Sequence, residues 1–325
     1  MKPTSKLKFV QVVICTLFYL NMCSAETPSQ LKGPVVFPSK SIQNSVEMVL
    51  TYDFKVPGDT HRIIFLSAIP KTIKGRQEIQ SIECSERPVE FINARQNKYA
   101  RFIFDRPNEE FKLEINIKAK LFQYDLFTFE KNKNETPSDN PDLEPFLKEE
   151  KFIEINQPDI RDAARNIKGN TEIDRLRNIY YYVIDNLEYK IQGEKDRGAL
   201  YALNNKKGDC SEYADLFVAL CRAKNVPARV VTGYTERYDN VSPKHIWAEA
   251  YLKKYGWVPF DPSWGDVTNK SLRKIRFERL SPVYLYVTNT RNDKMLYNRH
   301  FYAITFWGEK VEVTDSVKFK QSEKS

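Results

Sequence analysis

Histidine is scarce in this chain, three among 325 residues, and glycine is thin at eleven. His, Cys, Asp and Glu nowhere group at metal-ligand spacing, so neither a metal centre nor another cofactor is expected. The glycines form no phosphate-cradling loop, which removes the nucleotide-binding classes built on one. The formal net charge is a modest +8, and no dense basic tract carries interleaved aromatics, so nucleic acid is excluded as a partner. After residue 20 no apolar run approaches the ~18 residues needed to cross a bilayer, and no transmembrane segment is expected in the mature chain.

The first 25 residues do hold a signal. Lys2, Lys6 and Lys8 precede an apolar run over residues 9–20, and Cys23-Ser24-Ala25 offers small residues before Glu26. This pattern is a secretory signal peptide cleaved near Ala25, which implies a secreted or periplasmic protein. Lipid attachment at Cys23 is the weaker alternative, because Leu20-Asn21-Met22 is a poor lipidation sequence. Losing the three lysines takes the net charge from +8 to +5. The mature chain keeps Cys84, Cys210 and Cys221, an odd number, so at least one thiol stays free. Cys221 falls on an apolar helix face as a core residue, and no bridge to Cys84 is expected.

Gly208-Asp209-Cys210-Ser211-Glu212-Tyr213-Ala214 delivers a cysteine to the first turn of a helix running over residues 211–224, whose buried face is Ala214, Phe217, Val218 and Cys221. A helix N-terminus beside a protonated imidazole can lower a thiol's pKa, and a thiolate there would be a standing nucleophile. A strand-like run over residues 228–234 leads to His245-Ile246-Trp247-Ala248-Glu249, and Gly256-Trp257-Val258-Pro259-Phe260-Asp261-Pro262 follows. A sulfur nucleophile, an imidazole that exchanges its proton and a carboxylate that fixes the imidazole tautomer are the three parts of an acyl-transfer site. His300 is the rival base but lacks both the Trp-x-Glu strand and an Asp-Pro partner; His61 stands alone at a strand edge.

These blocks, spanning residues 158–265, resemble the transglutaminase-like superfamily of papain-type thiol enzymes. The resemblance implies Cys210 as nucleophile, His245 as general base and acid, and Asp261 as the carboxylate orienting His245. It also implies an oxyanion donor upstream of the nucleophile, often a tryptophan. No tryptophan lies between Met1 and Arg222, so Tyr189 and Gln192 are the candidates beside the Cys210 backbone N–H. Trp247 and Trp264 are candidates for the substrate cleft.

Residues 26–130 read as a β-sandwich, with period-two runs such as Phe111, Leu113, Ile115, Ile117, Ala119 and Leu121 against polar neighbours. A sandwich ahead of the thiol-enzyme domain resembles the bacterial secreted type. Residues 131–150, polar and rich in turn formers, are expected to form a linker. The catalytic domain is then 151–325, opening on helices that start at Pro158 and near Thr171, with the stretches 283–287, 302–307 and 311–313 as strands closing its own sheet. The fold class is therefore α+β: an N-terminal β-sandwich, then a transglutaminase-like (papain-like) α+β domain with the nucleophile at a helix N-terminus packed on an antiparallel sheet.

Two functions fit these residues. One is an exported thiol enzyme acting on amide or peptide bonds of a peptide or protein substrate through a Cys210 thioester, with water (peptidase, amidase) or an amine (transglutaminase) as acyl acceptor; hydrolysis is the more economical choice. The other is a non-catalytic binding or scaffold protein retaining the fold.

Overall fold

A computed structural model describes residues 43–127, 142–191, 193, 195–236 and 242–320. The signal segment with Cys23 and Ala25, and Gln192, lie outside the described residues.

The first six strands are β1 (Gln43–Lys55), β2 (Arg62–Ile69), β3 (Gln77–Cys84), β4 (Glu90–Ala94), β5 (Asn97–Asp105) and β6 (Glu110–Phe122). Their alternation comes out as expected: Val46, Met48, Leu50, Tyr52 and Phe54 of β1 point into the core while their neighbours stay at least partly exposed. The core is aromatic. Tyr52 meets Phe65 edge-on at 4.7 Å, and Phe54 stacks on Phe111 at 4.4 Å. The buried Tyr52 hydroxyl finds Ser67 Oγ at 2.9 Å across the sheets, so its burial leaves no orphan.

Two-residue strands β7 (Tyr124–Asp125), β8 (Glu188–Tyr189) and β9 (Lys207–Gly208) follow. Helices α1 (Pro158–Asn166), α2 (Glu172–Asn186), α3 (Ala199–Asn205) and α4 (Cys210–Ala223) make up the first half of the second domain. Proline opens α1, and Thr171 caps α2 by accepting from the Asp174 N–H. A sheet of β10 (Ala228–Thr235), β11 (Lys244–Leu252), β12 (Gly256–Phe260) and β14 (Tyr284–Thr288) runs antiparallel in the order β12-β11-β10-β14. Short helices α5 (Pro262–Gly265) and α6 (Lys270–Glu278) and the bridge strand β13 (Arg279–Leu280) connect β12 to β14. Helix α4 is buried along nearly its whole length between this sheet and the other helices, in a core built from Tyr180, Phe217, Trp247 and Phe260.

The last two strands correct the expected domain boundaries. β15 (Tyr302–Trp307) pairs with β2, and β16 (Glu312–Phe319) pairs with β1. The sandwich is thus two four-stranded sheets, β16-β1-β6-β3 and β15-β2-β5-β4, each finished by a C-terminal strand. A period-two pattern specifies a half-buried strand but not the sheet it joins, so the expected 151–325 domain loses its last two strands to the sandwich. Only β14 closes the catalytic sheet. The expected 131–150 linker also shortens among the described residues, since Phe146 packs edge-on against Trp257 at 4.9 Å and the Lys148 carbonyl accepts from Arg222.

The chain crosses between domains under tight control. Gln77 of β3 accepts from the Tyr286 N–H at 2.7 Å and donates to the Tyr286 carbonyl at 2.9 Å, covering the open edge of β14. Asp293 accepts from the buried Tyr99 hydroxyl at 2.5 Å. Deleting residues 302–320 should therefore unravel the sandwich instead of trimming the catalytic domain. Loss of cooperative melting together with rapid proteolysis of β1–β6 is the expected result; an intact sandwich in the truncated chain would refute the pairing.

Candidate active site

The nucleophile helix begins with two interlocked carboxylates. Asp209 accepts from the Ser211 N–H at 3.0 Å and the Ser211 hydroxyl at 2.6 Å, and Glu212 reaches back to the Asp209 N–H at 3.0 Å. This capping box satisfies N–H groups that the first turn leaves without intrahelical acceptors. Glu212 also accepts from the Arg197 N–H at 3.0 Å, tying the preceding loop to the helix; burial and the neighbouring Asp209 push its carboxyl up to about 8. Gly208 must be glycine for the box to close, because a Cβ there would come within 2.3 Å of the Glu212 Cβ.

Cys210, the first residue of α4, is half-buried. The Ile246 backbone N–H donates to its sulfur, which sets the thiol beside the head of β11 one residue from His245. Burial, reinforced by Asp209, pushes the Cys210 thiol up, and the Ile246 N–H only partly offsets this. The dipole effect of the helix start is thus outweighed by the low-dielectric surroundings and three nearby carboxylates.

His245 and Asp261 meet directly. His245 Nε2 lies 2.6 Å from Asp261 Oδ2, with the two residues 6% and 2% exposed. The carboxylate is fully engaged: Tyr284 Oη donates to Oδ2 at 2.7 Å, and Ser263 Oγ and the Trp264 N–H donate to Oδ1 at 2.8 and 3.1 Å. Burial works to raise Asp261, but His245, Tyr284 and Ser263 outweigh it and hold the carboxyl below its usual value. Its ionisation therefore adds stability fully present above about pH 4 and lost as the pH falls through the lower folded value. With Nε2 committed to Asp261, Nδ1 is the ring nitrogen left for another partner.

The aromatic surroundings divide into two. Trp264, half-buried, stands 5.6 Å from the imidazole. Trp247 is 0% exposed, lying 6.0 Å from the His245 ring and packed edge-on against Tyr284 and Tyr286. It supports the imidazole from within the core and does not line an open cleft, which corrects its assignment as a cleft residue. β11 is covered on both faces, so alternation along it cannot separate the cleft side from the core side.

Tyr189 pairs in parallel with Gly208, two residues before the thiol, and its ring leans on Tyr213 at 6.0 Å. His300 lies 3.2 Å from Asp196 and takes no part in the Asp261 cluster. Cys84, Cys210 and Cys221 are all free thiols, with Cys221 fully buried.

Tyr284 and Ser263 had no warning in the sequence beyond, for Ser263, its place two residues into a helix capped by an aspartate. Tyr284→Phe removes one charge-assisted hydrogen bond worth about 1.5–3 kcal/mol. Activity should fall roughly tenfold or more with modest loss of thermal stability. Unchanged kcat/KM in Tyr284→Phe would show that Asp261 needs no such support.

A sulfur in the first turn of a helix, an imidazole on the adjoining strand β11 and a carboxylate at the residue after β12 make up this arrangement. Residues 161–262 match the family model of the transglutaminase-like superfamily, and the chain carries a transglutaminase-like domain. Kyphoscoliosis peptidase of Homo sapiens is 30% identical over 110 residues, which is 30% of this chain and 16% of that protein. An uncharacterized protein of Haemophilus influenzae is 24% identical over 251 residues, 66% of this chain and 68% of its own length. The crystal structure of a candidate cysteine protease from Cytophaga hutchinsonii superposes with a TM-score of 0.57 at 18% identity, covering 87% of this chain and 94% of that one. Thus the chain spans a small part of the human relative and most of the Cytophaga fold.

Proposed function

We propose that this chain is an exported thiol hydrolase acting on amide bonds of peptide or protein substrates. The observation that carries the reading is the 2.6 Å contact of His245 Nε2 with Asp261, beside a sulfur held at the head of α4 by the Ile246 N–H. In the reaction the Cys210 sulfur attacks the amide carbonyl while its proton passes to His245 Nδ1. The C–N bond breaks, the leaving amine takes that proton, and a thioester remains on Cys210. Water, deprotonated by His245, attacks the thioester and releases the acid; the proton returns to the thiol. Asp261 holds the imidazole in the tautomer with Nε2–H and stabilises its cation. The Cys210 backbone N–H, in the first turn of α4, and Tyr189 are the donors we assign to the oxyanion. Water as acceptor is favoured by the name of the human relative, a peptidase. Export is inferred from the lysines and apolar run of the first 25 residues; among the described residues no helix is long and apolar enough to cross a membrane.

Incubation with a peptide library, with and without a primary amine, separates the outcomes. Cleavage products unchanged by the amine support hydrolysis; ammonia release with amine incorporation would make the chain a transamidase. Neither product, at any peptide, would leave a binding scaffold.

A further inference from the structure

The far end of the nucleophile helix carries a second feature that the chemistry above does not use. An open cavity of about 640 Å³ lies where the C-terminal ends of α1 and α4 meet the first turns of α2. Four of its lining side chains are cationic: Arg161 and Arg165 from α1, Arg175 from α2 and Lys224 after α4. Lys168, in the turn between α1 and α2, stands close enough to act on Lys224, whose ammonium is pushed down by burial first and then by Lys168 and Arg175. Fourteen residues of helix, about 20 Å, separate this cavity from Cys210.

Cations at helix C-termini have an ordinary structural use, and part of the cluster serves it. Lys224 Nζ donates to the Ala164 carbonyl at 2.8 Å, and Lys168 Nζ to the Arg165 carbonyl at 2.9 Å. That use does not account for the whole. Each helix terminus offers roughly half a negative charge, and Asp162 pairs with Arg165 at 2.9 Å. Together these offset about two of five positive charges, leaving roughly +3 around one concavity. Glu172, in the first turn of α2, makes no ion pair with Arg175 among the described residues. Like charges drawn to one hollow from three separate segments, with Asp162 as the one acid paired among them, form a site preorganised for a compact multivalent anion.

We propose that this cavity binds a phosphate group, supplied either by a free phosphate compound or by a lipid headgroup. Arg175 and the N–H groups of Arg161 and Arg165 not taken by Asn156 and Asp162 suit the tetrahedral oxygens, and Lys224 adds a point charge beside the Ala164 carbonyl. The proposal stands apart from the catalytic reading, because Cys210→Ala should bind as the wild type does.

The test is calorimetric titration of the full chain with inorganic pyrophosphate, in parallel with sedimentation on phosphatidic acid and on phosphatidylcholine vesicles. Pyrophosphate should bind, weaken as ionic strength rises, and lose at least about tenfold in affinity in the double variant Arg161→Glu, Arg165→Glu. Lys318→Glu, on an exposed position of β16, should change nothing. Sedimentation with phosphatidic acid, lost in the same double variant, identifies a lipid source; pyrophosphate binding without sedimentation identifies a free one. Absence of both, or equal loss in Lys318→Glu, overturns the site. Should the double variant melt early, Arg161→Gln alone, at an exposed position, carries the same comparison.

Discussion

Replacing His245 with alanine is expected to lower kcat/KM for amide cleavage by about 10⁴-fold or more. The magnitude follows from the state of the thiol. Burial and three carboxylates push the Cys210 thiol up, so in the proposed mechanism the proton leaves as the sulfur–carbon bond forms. There Nδ1 of His245 is the group that receives it. Asp261→Asn should cost less, about 10²- to 10⁴-fold, because the imidazole survives but its tautomer and cation lose their partner. Progress curves on one cleaved peptide check both. A His245→Ala enzyme within tenfold of wild type would show that another group takes the proton.

Arg291→Met should cost about 3–5 kcal/mol of stability and drop the melting midpoint by roughly 10 °C. Arg291 is 2% exposed and grips Asp215 of α4 with Nε–Oδ1 at 2.7 Å and Nη2–Oδ2 at 2.9 Å, while its Nη1 lies 3.1 Å from Asp196. Asp215 is 0% exposed, so removing the guanidinium strands a carboxylate inside the nucleophile helix. The two anions hold Arg291 firmly charged, whereas burial works against the Asp215 carboxylate. The double variant Arg291→Met, Asp215→Leu should regain much of the loss, since a buried ion pair often exchanges for apolar packing at little net cost. Melting followed by circular dichroism decides it: a single variant within 1 kcal/mol of wild type would show that the buried charge is compensated elsewhere. The residue also matters for assembly, because its loop is pinned on the other side by the bonds from Tyr99 and Asn97 to Asp293.

Much of the site was legible because its parts are local. The capping residues around Cys210, the strand carrying His245 and the Asp-Pro turn after β12 each announce themselves within a few residues. Their mutual contact was implied by resemblance; the structure brings His245 Nε2 and Asp261 Oδ2 to 2.6 Å. What stayed hidden depends on chain separation. Tyr284 lies 23 residues from Asp261 and Arg291 lies 76 from Asp215, so no local pattern links them. Strands β15 and β16 showed their alternation but not their partners, since pairing with β2 and β1 is decided by the closure of a sandwich core between Phe54, Phe65 and Tyr302. The thiol's surroundings stayed hidden for a related reason: the helix terminus is visible in sequence, while the burial that opposes it is a property of the packed molecule.

Competition among the three thiols tests the central claim most directly. Burial pushes up all three thiols, Cys84, Cys210 and Cys221, so none gains thiolate character from its surroundings. The Ile246 N–H sets the Cys210 sulfur beside the strand that carries His245, and the proposed mechanism passes the thiol proton to that imidazole. Limiting iodoacetamide near neutral pH, with the label mapped by mass spectrometry, should mark Cys210 first in wild type and lose that preference in His245→Ala. Labelling of the half-buried Cys84 at an equal rate in both proteins would mean that the sulfur and the imidazole do not work together, and the hydrolase would reduce to a fold.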